Sequence, residues 1–370
     1  MDDEYIKILA DLVSFESITP QGDDAIDYCS DFLFRLGFVC KKLKFNETSN
    51  LYAKLGNNDR NFCFAGHVDV VPPFDNWATD PFVLTEKDGI LYGRGVNDMK
   101  GPLVACLAAI RDFITSEVPK FSISVLLTSD EEIMGNDGTS KVVKYLKDQR
   151  ENISGCVLCE SCSVGEAGEY IKIGCRGSMT VDFTSTGEQR HVVAGQSVGN
   201  HINSFATFLH EFVNRKLDNG NGKFPPTAVE LTSIDVGNDV RNIIPSLATA
   251  KASIRFCDSW TGDTLEQYIR RLVPKGIAAE FTKFTNPLIG ATHGFAKFLE
   301  SAITDAIGIR PEIGTHGGNS DATSISTITE VAEIGSPVAG AHIVNESLRK
   351  DDFEKLRVIY LQILKNFTND

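Results

Sequence analysis

The stretch Phe62-Cys63-Phe64-Ala65-Gly66-His67-Val68-Asp69 is a short apolar run that ends on a histidine and an aspartate. Runs of this length, too short for a typical helix, read as strands buried in a sheet. The pattern recurs along the chain. Residues 123–128 precede Glu131 and Glu132, Cys156-Val157-Leu158-Cys159 precedes Glu160, and Val331-Ala332-Glu333-Ile334 comes shortly before His342. In an open α/β sheet, ligands bind beyond the carboxyl ends of parallel strands, so residues far apart in sequence can meet at one rim. Asp98 joins them from the glycine-rich Gly93-Arg94-Gly95-Val96-Asn97-Asp98-Met99-Lys100-Gly101. Two histidines with several carboxylates form the ligand inventory of a paired metal site.

Each member has a chemical reading and a plainer one. His67 and Asp69 stand two apart on an extended segment, so their side chains point the same way. A carboxylate there can accept the imidazole's second N–H and leave the other nitrogen free for a metal. A lone His-x-Asp pair equally describes a satisfied histidine; the following Val70-Val71-Pro72-Pro73 with Trp77, Asp80, Pro81 and Phe82 makes the segment more distinctive. Asp98 reads as the N-cap of a helix that starts near Pro102, or as a carboxylate that puts one oxygen on each of two cations. In Thr128-Ser129-Asp130-Glu131-Glu132 adjacent side chains diverge, so one glutamate can ligate while the other acts as general base on a cation-acidified water. A solvated acidic loop is the alternative. His342 sits in a strand-end loop, with Asn345 or Glu346 placed to steady the ring or the loop. Residues 163–168 and 314–321 read as loops over the pocket, where Ser320 and Asp321 are either structural or in contact with substrate.

The chain's 370 residues exceed what one hydrophobic core organises, so two domains are expected. Ile6, Leu9, Ala10 and Val13 recur at helical spacing, as do Ala25, Cys29, Phe32, Leu33 and Leu36 before Gly37. Strands are expected at 39–45, 50–55 and 62–65, with a helix at 102–114. Beyond residue 177 the order becomes strand 179–186, helix 198–212, strands 229–236 and 248–256, helix 264–272 and strand 277–284. That βαββαβ order belongs to a ferredoxin-like sandwich. Residues 177–286 are therefore expected to form a domain inserted between 1–176 and 287–370.

A formal charge of −14, without a basic stripe, argues against nucleic acid or an anionic membrane as partner. No apolar run approaches the roughly 20 residues that span a bilayer. Met1-Asp2-Asp3-Glu4 lacks the basic and apolar regions of a signal peptide. The nine cysteines, odd in number and dispersed through apolar stretches, read as reduced thiols. A cytoplasmic location is expected. Cys156, Cys159 and Cys162 form a CxxCxxC run, but a metal cluster there needs a fourth ligand, for which Cys175 is the nearby candidate. Buried structural thiols are the expectation.

Taken together, Gly66-His67-Val68-Asp69-Val70-Val71-Pro72, Gly93-Arg94-Gly95 with Asp98-Met99-Lys100-Gly101, Thr128-Ser129-Asp130-Glu131-Glu132, and His342 with Asn345-Glu346 are specific. They resemble the acetylornithine deacetylase and succinyl-diaminopimelate desuccinylase family of di-zinc amidohydrolases over essentially the whole chain. The resemblance implies an α/β fold: a zinc-peptidase-like three-layer catalytic domain with an inserted α+β ferredoxin-like dimerisation (lid) domain. It further implies a homodimer with two Zn2+ per subunit, for which Co2+ can substitute. His67, Asp98 and Glu160 would hold one ion, and Asp98, Glu132 and His342 the other. Glu131 would be the general acid/base, Asp69 would orient His67, and the Asp98-Met99 peptide would be cis. His191, within Gly187-Glu188-Gln189-Arg190-His191, would reach the partner's active site to stabilise the oxyanion. Arg176, Ser178, Asn242, Arg255, Gly318 and Asn319 would contact substrate.

The implied substrate is a small acylated amino acid, N-succinyl-LL-2,6-diaminopimelate, cleaved to succinate and LL-2,6-diaminopimelate. N-acetylornithine deacetylation, aminoacylase or dipeptidase chemistry are alternatives. A non-catalytic, zinc-holding binding dimer is an alternative of a different class; Glu131 speaks against it, since a binding module needs no free base. Four positions depart from the family's substrate-facing pattern. Cys175-Arg176 stands where paired arginines precede Gly-Ser, Ala194 replaces a tyrosine, Asn319 a threonine and Val338 an asparagine. Loss of an arginine removes a charge-assisted hydrogen bond of about 1.5–3 kcal/mol, and Arg176, Arg241 and Arg255 are the residues able to compensate. His201, His210, His293 and His316 have no comparable context.

Overall fold

The computed structural model describes residues 3–369 apart from 134 and 136, so Met1 and Asp2 of the acidic N-terminal run lie outside the described residues. The chain divides into two compact units. The first comprises Met1–Gly174, Ile289–Gly314 and Ser320–Asp370; the second comprises Cys175–Leu288 and Thr315–Asn319.

The first unit is built on eight strands: β1 (Val39–Phe45), β2 (Thr48–Leu55), β3 (Asn61–His67), β4 (Ser122–Thr128), β5 (Gly155–Leu158), β6 (Tyr170–Lys172), β7 (Glu312–Gly314) and β8 (Val331–Glu333). They form one sheet in the order β1-β2-β4-β3-β5-β8-β6-β7. The central neighbours β4, β3, β5 and β8 are parallel. His67 lies beside Thr128, Ala65 beside Leu158, and Leu158 beside Glu333. Their carboxyl ends therefore open onto one edge of the sheet.

The central strands are buried throughout because helices cover both faces. Phe62, Phe64, Ile123, Val125, Leu127 and Val157 enter a core shared with the helices Asp3–Ser14, Asp23–Arg35, Lys100–Ser116, His293–Ile307 and Lys350–Asn369. The alternating Cys63, Ala65, Leu126, Cys156 and Leu158 pack instead with Val142, Val143 and Leu146 of Thr139–Asp148 and with Ala322 and Ile325. The result is three layers, with full burial of each large aliphatic or phenyl side chain contributing about 1.5–3 kcal/mol. Cys156 and Cys159 fall in different cores, so the CxxCxxC run does not gather into a ligand set, and none of the nine cysteines is in a disulfide.

The second unit has strands Gly177–Thr186, Ala228–Asp235, Leu247–Phe256 and Ile277–Thr285 with helices His201–Val213 and Gly262–Leu272. Its sheet is antiparallel, in the order second, third, first, fourth. Met179, Val181 and Phe183 alternate inward on the first strand to meet Phe205, Phe208, Leu209 and Phe212 of one helix and Leu265 and Ile269 of the other. This is the expected ferredoxin-like βαββαβ arrangement. The helix expected from 198 is broken: Gly199 takes φ 85°, and Asn200 starts it afresh by accepting the Ile202 N–H at 2.9 Å. Among the described residues, no helix is long and apolar enough to cross a membrane.

Candidate metal centre

β3 delivers His67 at its last residue, buried to 1% exposure. Its Nε2 faces Asp98 Oδ1 at 3.3 Å and Glu160 Oε2 at 3.6 Å. The other oxygen of Asp98, Oδ2, lies 3.2 Å from Nε2 of His342, which in turn lies 2.9 Å from Glu132 Oε2. Asp98 thus presents one oxygen to each of two histidine–carboxylate pairs. Asp98 is not a side-chain cap for the following helix, whose N-cap is Met99 without a side-chain cap bond. The Asp98-Met99 peptide is cis. Among the described residues, His67, Asp98 and Glu132 place ligand atoms within 4.8 Å of one another.

Electrostatics point the same way. Burial opposes ionisation of Asp98, but hydrogen bonds from His342 and His67 outweigh it and hold the carboxyl below its ordinary range. Burial disfavours the His67 cation, yet Asp69, Asp98 and Glu160 raise it well above the usual imidazole value. His342 is pushed up to about 10 by Asp98 and Glu132. Glu160 and Glu131 rise well above the normal carboxyl value, mainly through burial and neighbouring carboxylates. The cage therefore retains protons in place of positive charge. Glu160 Oε2 is buried without a hydrogen-bond partner. A buried acceptor turned toward an imidazole nitrogen and a second carboxylate fits a cation, which oxygen and imidazole donors suit.

Asp69 meets His67 through its main chain and its side chain. His67 Nδ1 is 2.9 Å from the main-chain carbonyl of Asp69, whereas the nearer carboxylate oxygen is 3.5 Å away. The carboxylate also accepts the main-chain N–H groups of Glu131 (3.3 Å) and Glu132 (3.1 Å). The carboxylate of Glu131 makes no hydrogen bond or ion pair among the described residues. Asp130 closes the same loop by accepting from the Thr128 hydroxyl at 3.0 Å and the Asp137 N–H at 3.0 Å.

The first unit thus brings together His67, Asp69, Asp98, Glu132, Glu160 and His342, with Glu131 beside them. His191, Arg176, Ser178, Asn242, Arg255, Gly318 and Asn319 belong to the second unit. There Arg255 donates to Ser178 Oγ at 2.6 Å and Ser253 Oγ at 3.1 Å. Arg176 has a buried, unpartnered Nε, and both burial and Arg255 disfavour its charge. His191 is exposed; its Nδ1 accepts the Val193 N–H at 3.4 Å and its Nε2 lies 3.5 Å from Asn242 Nδ2. Sequence reasoning missed the groups that hold the ligand loops. Asn97 donates to the Pro337 carbonyl at 2.9 Å, and its own carbonyl accepts from Ser161 (3.0 Å) and Ser336 (2.8 Å). Their one visible signal is adjacency, since Asn97 and Ser161 neighbour Asp98 and Glu160.

Comparison with known proteins agrees with this architecture. The chain is 38% identical over 368 residues to a succinyl-diaminopimelate desuccinylase of Maricaulis maris (strain MCS10), covering 97% of this chain and 94% of the relative. It is 38% identical over 372 residues to one from Ehrlichia chaffeensis (strain ATCC CRL-10679 / Arkansas), covering 97% of each. An M20 family metallo-carboxypeptidase from Sulfolobus solfataricus superposes over 100% of both chains with a TM-score of 0.79 at 17% identity. The Bacillus subtilis YXEP protein, described as a dinuclear metal-binding peptidase of the M20 family, covers 99% of this chain and 98% of its own, with a TM-score of 0.69 at 13% identity. The profile of peptidase family M20/M25/M40 matches residues 63–366, and with that match the chain belongs to this family of metal-dependent hydrolases.

Proposed function

We propose that the chain hydrolyses the amide of N-succinyl-LL-2,6-diaminopimelate to succinate and LL-2,6-diaminopimelate. Two zinc ions would be held by His67, Asp98 and Glu160 and by Asp98, Glu132 and His342, with cobalt able to substitute. The observation that carries the reading is Asp98, whose two oxygens face two separate histidine–carboxylate pairs. The names of the full-length relatives supply the substrate. Cations in such a cage lower the pKa of water and polarise a carbonyl oxygen.

The protein's own part is proton transfer and placement. Glu131, held through its main chain by Asp69, takes the proton of the attacking water on a carboxylate oxygen and delivers it to the departing amine nitrogen. The water oxygen bonds to the amide carbon and the carbonyl oxygen becomes an oxyanion; as the carbonyl re-forms, the carbon–nitrogen bond breaks and nitrogen takes the proton from Glu131. In this reading a ring N–H of His191 donates to the oxyanion. In this reading the chain pairs with a second copy through the inserted residues 177–286, and His191 works in the partner's site. Arg176 and Arg255, which meet no carboxylate among the described residues, receive the substrate's carboxylates, with Ser178, Asn242, Gly318 and Asn319 around them. The enzyme works in the cytoplasm.

Zinc-loaded protein should release primary amine from N-succinyl-LL-diaminopimelate, with N-acetylornithine run in parallel, and chelator should stop it. Silence on the succinyl substrate with cleavage of the other would retain the reaction and change its substrate. One observation favours that second reading: Cys175, at 3% exposure, is a buried thiol where the family pattern has a cation.

A further inference from the structure

One buried carboxylate outside the ligand set gathers four donors. Glu346 Oε2 accepts from Arg94 Nη1 at 2.7 Å and the Gly95 N–H at 3.0 Å, and Oε1 accepts the N–H groups of Asn97 at 2.9 Å and Asp98 at 3.0 Å. Its main-chain carbonyl takes the Gly93 N–H at 3.2 Å. Arg94, fully buried, donates its other amine to the carbonyls of Pro72 (3.2 Å) and Pro73 (3.3 Å) and lies 5.1 Å from the Trp77 ring centre.

Glu346 comes four residues after His342, in a loop that does not relax into an easy conformation. His342 (φ 59°) and Asn345 (φ 58°) are both left-handed, which costs about 1–3 kcal/mol at each such residue unless the surroundings hold it. Asn345 is held by accepting the Ala78 N–H at 2.7 Å. The Asp98 loop closes tightly on the start of the following helix, and a Cβ at Gly101 would lie 2.1 Å from the Val96 carbonyl oxygen.

We propose that Glu346 is a positioning residue that sets the spacing of Asp98 and His342, and through it the affinity of the His342-side cation. This rests on the metal reading above. All four partners donate, so a glutamine in either orientation turns an N–H against at least one donor, and the nearly isosteric Glu346→Gln is a damaging change.

The test titrates Zn2+ and Co2+ into metal-free wild type, Glu346→Gln, Glu346→Asp and Glu333→Gln, following heat and the cobalt d–d spectrum. Glu333 is a control, an equally buried carboxylate bonded to Lys172 at 2.7 Å and Ser320 Oγ at 2.7 Å, with no ligand loop attached. The expected result is one of two cations bound about 10–100-fold more weakly in Glu346→Gln, with an altered cobalt spectrum and both affinities kept in Glu333→Gln. Should Glu346→Gln fail to fold, Glu346→Asp, which keeps the charge but shortens the reach, must show the same selective loss. Unchanged affinities in the folded Glu346 variants, or equal loss in Glu333→Gln, overturn the proposal. Wild type that binds no cation would overturn the metal reading itself, a different failure.

Discussion

Asp69→Asn separates two ways in which one aspartate can serve this centre. The side chain accepts two main-chain N–H groups, from Glu131 and Glu132, on its two oxygens. An amide offers one oxygen, so one N–H loses its acceptor and faces a second N–H. Loss of a hydrogen bond to a charged group is worth about 1.5–3 kcal/mol, which corresponds to a fall of about 10- to 150-fold in kcat/KM when expressed wholly in the transition state. The His67 Nδ1 contact survives, because its closer partner is the main-chain carbonyl. The assay is a double-mutant cycle with Glu131→Gln on metal-saturated protein, following residual amide hydrolysis. If Asp69 acts by placing Glu131, adding Asp69→Asn to Glu131→Gln should cost little more, since the group being placed has lost its function. Fully additive losses would refute this and return Asp69 to an effect on the imidazole.

Glu131→Gln alone should retain both cations, measured by elemental analysis, and lose turnover by at least about 100-fold; near-normal activity would remove Glu131 as the base. Burial pushes Asp321 up from 3.8 to about 6. A carboxyl whose folded pKa is raised destabilises the fold above that value and not below its ordinary one. Asp321→Asn, which still accepts the Thr139 hydroxyl now bonded at 2.6 Å, should therefore gain on wild type in metal-free melting as pH rises from 4 through 6 to 7. A pH-independent difference would contradict this. His342, raised to about 10, holds its proton at neutral pH, and His67 and Glu160 are raised well above their ordinary values. Cation loading at pH 7 should then acidify a weakly buffered solution containing a pH indicator, and proton uptake would be inconsistent with the cage.

Much of this was legible because parallel strands buried on both faces read as unbroken apolar runs, which leave a polar residue at the strand end conspicuous. His67 and Glu160 stand out for that reason. The ferredoxin-like unit was legible through its half-covered sheet: Met179, Val181 and Phe183 alternate with partly or fully exposed residues. Bonds made by the main chain left no such trace. Residue type does not encode that His67 Nδ1 turns to a carbonyl, that Asp69 holds two backbone N–H groups, or that Glu346 meets donors about 250 positions earlier. The helix break at Gly199 was hidden for a related reason, since apolar spacing continues through a residue whose φ alone interrupts it.

The carboxylates at this rim explain why the scaffold is so heavily bonded. Two like charges 4 Å apart repel by about 4 kcal/mol at an effective dielectric of about 20, and Asp98 raises the cost of ionising Glu131, Glu132 and Glu160. Left to themselves, their loops would spread apart. Each is restrained by a residue close to it in sequence or by another ligand's neighbour: Asn97 beside Asp98, Ser161 beside Glu160, Asp69 two past His67, and Glu346 four past His342. A cation removes the repulsion these restraints oppose. Damage to a restraint should therefore appear first as weakened cation binding and only later as loss of the fold, which is set by the apolar layers on either side of the sheet.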